Sequence, residues 1–311
     1  MADKVLALAG GVGGAKLALG LARLLSPDEL VIAVNTGDDE CFHGLNVSPD
    51  LDTVMYTLAG LVNLESGWGL AGDTFQALGM LGRYGAETWF NLGDRDLATH
   101  IRRTQLLREG ATLSQATAEL CRSLGVQHPV VPMSDDPVAT VLTTGLGELP
   151  MQRYFVQHQA KPPVREVHYR GAAQAQPAPA LAQALAEASL VVLCPSNPWL
   201  SLGPMLAVPG IRQGLVNRAG PTVAVSPLVG GAALRGPAAK LMAELGEEAS
   251  SLGVARHYLG LCDTFIIDHQ DAALAPAIAA LGMHPVAAPI IMTTEADKIA
   301  LAQRVLEVGG W

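Results

Sequence analysis

From Lys4 to Ala9 the chain is mostly apolar. It then breaks at Gly10-Gly11-Val12-Gly13-Gly14 and resumes from Ala15 to Leu25 with leucines at 17, 21, 24 and 25. Leucines so spaced fall on one face of a helix. Leu30-Val31-Ile32-Ala33-Val34 follows as a continuous apolar run, the mark of a strand buried on both faces in a parallel sheet. The chain therefore opens with a strand, glycine-rich turn, helix and strand, the building block of an α/β fold.

Working outward, the pattern is mainly helical from Pro49 to Leu124, with helices expected at about 52–62, 74–83, 95–109 and 113–124. Short strands are expected at 130–133, 139–144, 152–156 and 165–169. After an Ala/Gln/Pro stretch at 171–179, alternation returns. It gives helices at 181–187, 237–245, 271–281 and 294–308, and strands at 190–194, 222–226, 265–268 and 286–288. Together these predict one α/β domain over 1–311: a doubly wound, Rossmann-like, mainly parallel sheet built from both ends of the chain. A helical lobe, approximately 50–125, is expected over the active site. Ligands of such sheets bind beyond the carboxyl ends of the strands, so the loops after Ala9, Val34, Cys194 and Ser226 should converge.

Composition narrows the function. Of 311 residues half are hydrophobic and 16% are charged, which excludes intrinsic disorder. The mean hydropathy of +0.29 raises the question of a membrane. The longest uncharged stretch, 190–211, is broken by Pro195, Pro198, Pro204 and Pro209, so no spanning helix is expected. Met1-Ala2-Asp3-Lys4 has no basic leader followed by a cleavage site, and Cys41, Cys121, Cys194 and Cys262 form no CxxC pair. The expectation is a soluble cytoplasmic protein with reduced thiols. A net charge of −9 argues against nucleic acid as a partner. An acidic, apolar-rich chain of this size is expected to form a homodimer.

The glycine turn suits phosphate, because the first amides of a helix lack internal partners and the helix dipole favours negative charge. Gly10, Gly11, Gly13 and Gly14 are thus candidate nucleotide-binding residues, and Lys16 either reaches a phosphate or lies solvated. The turn matches neither common motif. G-x-G-x-x-G would need glycine at Lys16, and a P-loop would need Gly-Lys-Ser/Thr where Ala15-Lys16-Leu17 stands. A tight turn that needs glycine for packing alone is the alternative.

Two acidic segments follow. Asn35-Thr36-Gly37-Asp38-Asp39-Glu40 leaves the second strand, and Ser48-Pro49-Asp50-Leu51-Asp52-Thr53 opens a helix. Magnesium on a diphosphate needs one or two carboxylates. Asp38 and Asp52 are the expected pair, for metal or substrate, while Asp50 is expected to cap the helix. In Leu92-Gly93-Asp94-Arg95-Asp96-Leu97-Ala98-Thr99-His100, a helix starting near Asp94 places Asp96, His100 and Arg103 on one face. From spacing alone a solvent-facing helix laced with ion pairs explains these charges slightly better than a binding site does. Cys194-Pro195-Ser196-Asn197-Pro198 and Ser226-Pro227-Leu228-Val229-Gly230-Gly231 are rigid loops able to read a base edge or a phosphate, or ordinary turns. With no GxSxG elbow and no HExxH, the chemistry suggested is positioning and charge neutralisation.

GGVGGAK, VNTGDDECFHG, SPDLDTVMYTLAG, LGDRDLATH, SNP and SPLVGG occur in that order over nearly the whole chain. In this it resembles the 2-phospho-L-lactate transferase family, usually described in bacteria as phosphoenolpyruvate transferase, of coenzyme F-420 biosynthesis. The resemblance implies a magnesium-dependent transfer. A guanosine diphosphate-linked three-carbon acid gives its phospho-acid group to the ribityl hydroxyl of the deazaflavin Fo, and GMP leaves. It further implies that Gly10 to Gly14 cradle the diphosphate and that Asp38 and Asp52 hold the metal, with Asp52 near the attacking hydroxyl. Asn197, Ser226, Pro227 and Gly230 would meet the guanosine, and Asn91, Asp94, Arg95 and His100 the Fo side. Asn91 stands where family members often carry lysine. Two other functions remain open: a non-catalytic sugar-nucleotide-binding protein of the gluconeogenesis-factor type, and an NAD(P)-dependent oxidoreductase.

Overall fold

The computed structural model describes residues 3–233 and 236–311. Met1 and Ala2, part of the opening read for a leader, lie outside the described residues. Strands run in chain order β1 (Val5–Ala9), β2 (Leu30–Val34), β3 (Glu40–Phe42), β4 (Leu45–Val47), β5 (Val130–Pro132), β6 (Ala139–Thr144) and β7 (Gly147–Pro150). They continue as β8 (Val164–Arg170), β9 (Leu190–Leu193), β10 (Thr222–Val225), β11 (Leu228–Val229), β12 (Ala232–Ala233), β13 (Thr264–Ile267) and β14 (His284–Ala287). The first helices are α1 (Gly11–Leu24), α2 (Pro49–Leu58), α3 (Gln76–Arg83), α4 (Asp96–Arg108) and α5 (Leu113–Ser123).

Seven strands form the central sheet in the order β14-β13-β10-β9-β1-β2-β5, every neighbouring pair parallel. From β1 the chain builds outward through β2 and β5. It then returns to the other side of β1 and builds outward again from β9. The order thus reverses between β1 and β9, where an open α/β sheet leaves a crevice at its carboxyl edge. The sheet is covered on both faces, which explains its unbroken apolar strands. Val5, Ala7 and Ala9 join one core layer with α1, α2 and the C-terminal helix Glu295–Val308. Leu6 and Leu8 join the other, with the helices Pro179–Glu187, Gly203–Ala207, Pro209–Asn217 and Ser251–His257.

Within the expected lobe, Leu51, Val54, Met55 and Tyr56 of α2 and Leu120 and Cys121 of α5 belong to the main core. Of α3 only Leu78 is buried. Among the described residues no helix is long and apolar enough to cross a membrane.

Several elements depart from their expected form. The strand expected at 152–156 is a wide helical turn, Arg153–Gln157. The edge of β6 is already paired by β7 through a tight hairpin, so Tyr154 packs into a small core with Leu142 and Val164 instead. The helix expected at 271–281 is a tight turn, His269–Leu274, followed by the short helix Ala275–Ala279. The helices Gly203–Ala207 and Pro209–Asn217 sit where prolines concealed them, because Pro204 and Pro209 occupy first turns, where no amide is needed. β3 and β4 form a hairpin closed by His43 and Gly44, both at positive φ, as a two-residue turn of matching twist requires.

The C-terminal helix backs α1, whose first turn carries the glycines. Its start is fixed by reciprocal bonds: Thr294 Oγ1 accepts from the Asp297 amide, and the Asp297 carboxylate accepts from the Thr294 amide. Thr294→Ala removes half of that box. It is expected to cost about 1 kcal/mol, read as a lower urea midpoint with an unchanged slope.

Candidate active site

The glycine turn meets its neighbours at the β1/β9 reversal. The Gly10 amide donates to Ser196 Oγ at 3.2 Å, and that hydroxyl donates to the Gly10 carbonyl at 2.8 Å. Gly13 lies so close to Pro195 that any side chain would overlap the Pro195 carbonyl oxygen. Gly11 takes φ +59°, a conformation that glycine adopts without cost. No side chain of its own N-cap closes α1. Instead the Gly11 amide donates to the carboxylate of Asp50. The loops after Ala9, Val34 and Cys194 therefore converge. The loop after Ser226 is held by local bonds: Ser226 Oγ donates to the Leu228 carbonyl and meets Ser251 Oγ at 3.0 Å.

Asn35, the first residue after β2, organises the acidic loop. Its Nδ2 donates to Asp38 Oδ1 at 3.1 Å, to Asp50 Oδ2 at 2.9 Å and to the Leu200 carbonyl at 3.3 Å, while its Oδ1 accepts from the Gly37 amide. Gln152 Nε2 donates to Asp38 Oδ2 at 2.9 Å. Asp38 is 3% and Asp50 8% exposed. Burial, then the charge of Asp50, pushes Asp38 well above the ordinary carboxylate range. Burial raises Asp50 to about 6 against the donors Asn35 and Gly11. Two carboxylates are thus sequestered together beside the amino end of α1.

The structure brings Asp38 to Asp50, the residue expected to cap α2, and places Asp52 with other partners. The N-cap of α2 is Ser48, and Asp50 makes no cap; its carboxylate leaves the helix for the glycine turn. Residues two apart on a helix diverge, so Asp52 has other direct partners, although Asp50 and Asp52 both lie near enough to Asp39 to raise it. Its two oxygens are held by both terminal nitrogens of Arg103. His100 stands between two acids, Nδ1 3.6 Å from Asp52 Oδ2 and Nε2 3.2 Å from Asp96 Oδ2. Tyr56 OH bonds both Asp96 and Thr99 at 2.7 Å. Burial works against the Asp96 charge, yet His100 and Tyr56 hold it below the usual range. Asp96, His100 and Arg103 share a face as their spacing predicts, but His100 and Arg103 are buried and Asp96 is half-buried, so the face is not solvated. Asp52, Asp96 and His100 are also close enough to ligate one ion, although Arg103 already neutralises Asp52 there.

Other candidates are committed to architecture. Asp94 caps α3, accepting from the amides of Gln76 and Ala77 at 2.9 Å and from Thr74 Oγ1 at 2.5 Å. Asp73 answers by accepting from the amides of Arg95 and Asp96. The Arg95 guanidinium donates to the Ala71 carbonyl, and Asn91 is exposed. Lys16 Nζ donates to the Met292 carbonyl at 2.7 Å. Asn197 Oδ1 accepts from the amides of Trp199 and Leu200. Gly230, at φ +58°, donates its amide to Asp271, and Pro227 lies in the loop between Ser226 and β11. Sequence reasoning missed Asn35, Gln152 and Ser196. Asn35 had a signal, a polar residue at the tip of a buried strand; Gln152 had none.

A family model described as 2-phospho-L-lactate transferase CofD matches residues 5–301. A Streptomyces griseus protein named phosphoenolpyruvate transferase is 42% identical over 311 residues, covering 98% of each chain. A Methanosarcina mazei protein named 2-phospho-L-lactate transferase is 38% identical, covering 96% of this chain and 98% of its own. A solved Bacillus halodurans structure of the UPF0052 family, 15% identical, superposes with a TM-score of 0.63 over 98% of this chain and 99% of that one, a likeness of fold.

Arg103→Leu leaves the Asp52 charge buried without its partner. The substitution is expected to cost about 3–5 kcal/mol, measured by urea unfolding, and the double variant with Asp52→Asn to cost less than the sum of the singles.

Proposed function

The chain belongs to the 2-phospho-L-lactate transferase CofD family, and on that premise we propose that it moves a phospho-three-carbon-acid group, phosphoenolpyruvate or 2-phospholactate, from a GDP-linked donor to the ribityl hydroxyl of Fo, releasing GMP, in coenzyme F-420 biosynthesis. The observation that carries this reading is the Asp38–Asp50 pair buried against the first amide of α1. Such a pair is costly to bury and does nothing for the core.

The pair suits magnesium. Asp38 and Asp50 are held by amide donors from Asn35, Gln152 and Gly11, whereas Asp52 already has a guanidinium. Asp38 and Asp50, not Asp38 and Asp52, are therefore the residues that would hold the ion. Bound there, magnesium supplies the charge neutralisation that a diphosphate and its in-line displacement require. Amides from Gly10 to Gly14 would line the diphosphate, and the loops carrying Asn197, Ser226, Pro227 and Gly230 would border the guanosine. Asp52 is the candidate to orient the ribityl hydroxyl. Each of its oxygens keeps a lone pair after bonding Arg103, and such orientation is typically worth about 10²–10⁴-fold. We assign the activity to a cytoplasmic homodimer. Exposed Leu64, Trp68, Phe75 and Tyr84 support self-association.

Incubation of the purified protein with Fo, magnesium and each candidate donor should give a product whose mass equals Fo plus one phospho-acid group. No such mass with any donor would reject the reading. Asp52→Asn is expected to abolish transfer while GDP binding stays measurable by calorimetry.

The charge pair makes a second prediction. Asp50→Asn removes one of two like charges and is expected to raise the melting temperature in chelator by a degree or more. The same variant should lose the rise that magnesium gives the unsubstituted protein, as scanning calorimetry would record.

A further inference from the structure

Asp271 is a buried carboxylate, 6% exposed, that the proposed reaction does not use. Both of its oxygens accept from the Gly230 amide at 3.2 Å, and Oδ2 accepts from Ser251 Oγ at 2.9 Å. These donors are neutral, and among the described residues no cation pairs with it. Ser251 is wholly buried, and its hydroxyl also meets that of Ser226, which accepts from the Leu228 amide at 3.1 Å. A carboxylate, two hydroxyls and a glycine amide thus form one buried chain, from the turn after β13 to the loop after β10. Burying a charge without a counter-charge costs stability, whereas hydrogen bonds to a charged acceptor are the stronger ones. The arrangement serves the loop and not the core.

Both ends of the chain are placed with care. Asp268 starts the turn that carries Asp271, accepting from the amides of Gln270 at 3.0 Å and Ile290 at 3.3 Å. At the other end Gly230 and Gly231 take φ +58° and +75°, and Gly230 is exposed although its amide is directed inward. The tip of the loop is therefore held from beneath and open above. The helix Ser251–His257 begins at Ser251 and ends with the His257 ring packed against Trp199, 4.7 Å between centroids. The Trp199 amide in turn donates to Asn197. One helix thus backs both loops placed beside the guanosine. In the sheet β10 is two strands from β1, so their ends lie about 10 Å apart, the scale of a nucleoside whose diphosphate rests at the glycine turn.

We propose that Asp271 is a positioning residue for the donor: through Ser251 and the Gly230 amide it fixes the loop 226–231 in the shape that receives the nucleoside of a guanosine diphosphate-linked substrate. The assignment rests on the reading of that loop as part of the nucleoside wall. It explains why an acid stands here. An amide side chain offers one acceptor oxygen where a carboxylate offers two, so it cannot meet Gly230 through both atoms and Ser251 as well. Asp38, Asp50 and the acceptor lie outside this chain of bonds, so donor binding depends on Asp271 and the chemical step does not.

GDP binding by calorimetry on the full-length protein with magnesium, followed by steady-state transfer to Fo, tests the assignment. Asp271→Asn is expected to weaken GDP binding and raise the KM for the donor by about tenfold, and Ser251→Ala by about threefold. Fo affinity and kcat should stay within about twofold, the signature of lost binding shared by ground and transition states. A variant that merely loses folded protein lowers kcat and leaves KM unchanged. That result, or unchanged GDP affinity in both variants, overturns this inference, while transfer by the wild-type protein leaves the proposed reaction standing. Weakened GDP binding in the variants, beside a wild-type protein that makes no product from Fo, sustains the inference and overturns the reaction. A wild-type protein that does not bind GDP overturns both. Should Asp271→Asn fail to fold, Ser251→Ala alone decides.

Discussion

One amide, that of Asn35, bridges two buried carboxylates that would otherwise repel each other. Asp38 and Asp50 come from different elements, the loop after β2 and the first turn of α2. Asn35 holds both, while Gly11 and Gln152 complete their shells. The carboxyl edge of the sheet is arranged around this contact. The third bond of Asn35, to the Leu200 carbonyl, draws in the segment after β9, and Ser196 fastens that same segment to Gly10. Three chain segments far apart in sequence are thus fixed to one anionic centre.

α2 carries a second centre beside the first, and both act on Asp39. A single helical turn sends Asp50 to the glycine turn and Asp52 to Arg103. The two acids live in opposite regimes, one pressed against another acid and held by amides, the other neutralised by a guanidinium. Asp39 links them through Ser48, and burial drives it well above the ordinary range while Arg103 pulls it back. Burying so many charges serves stability poorly. Buried titratable groups gathered in one place are the usual mark of a functional site.

The hairpin β3–β4 connects both centres to the surface. It leaves the acidic loop, turns at His43 and Gly44, and presents Phe42 to Trp89 and Phe90. Trp89 and Phe90 lie between Asp73 and Asp94, whose reciprocal caps set the mutual position of α3 and α4. The ring wall and the helix that carries His100 and Arg103 are therefore positioned by the same short segment. This makes LGDRD an architectural motif as well as a chemical one.

The α/β class, the strand–glycine turn–helix start and most of the sheet were legible in the sequence, because apolar runs and helical spacing are local properties that the sheet's two covered faces enforce. The shared face of Asp96, His100 and Arg103 was legible for the same reason. Local pattern could not say which acid of Pro49-Asp50-Leu51-Asp52 turns toward the glycines, since two residues on one helical turn differ only in what lies opposite them. Nor could it find Gln152, which reaches Asp38 through a turn whose apolar alternation imitates a strand. Nearest-neighbour chemistry wrote the elements into the chain. The partners of Asp50 and Asp52 were settled only when folding brought distant segments together, because burial and charge pairing act through space and not along the sequence.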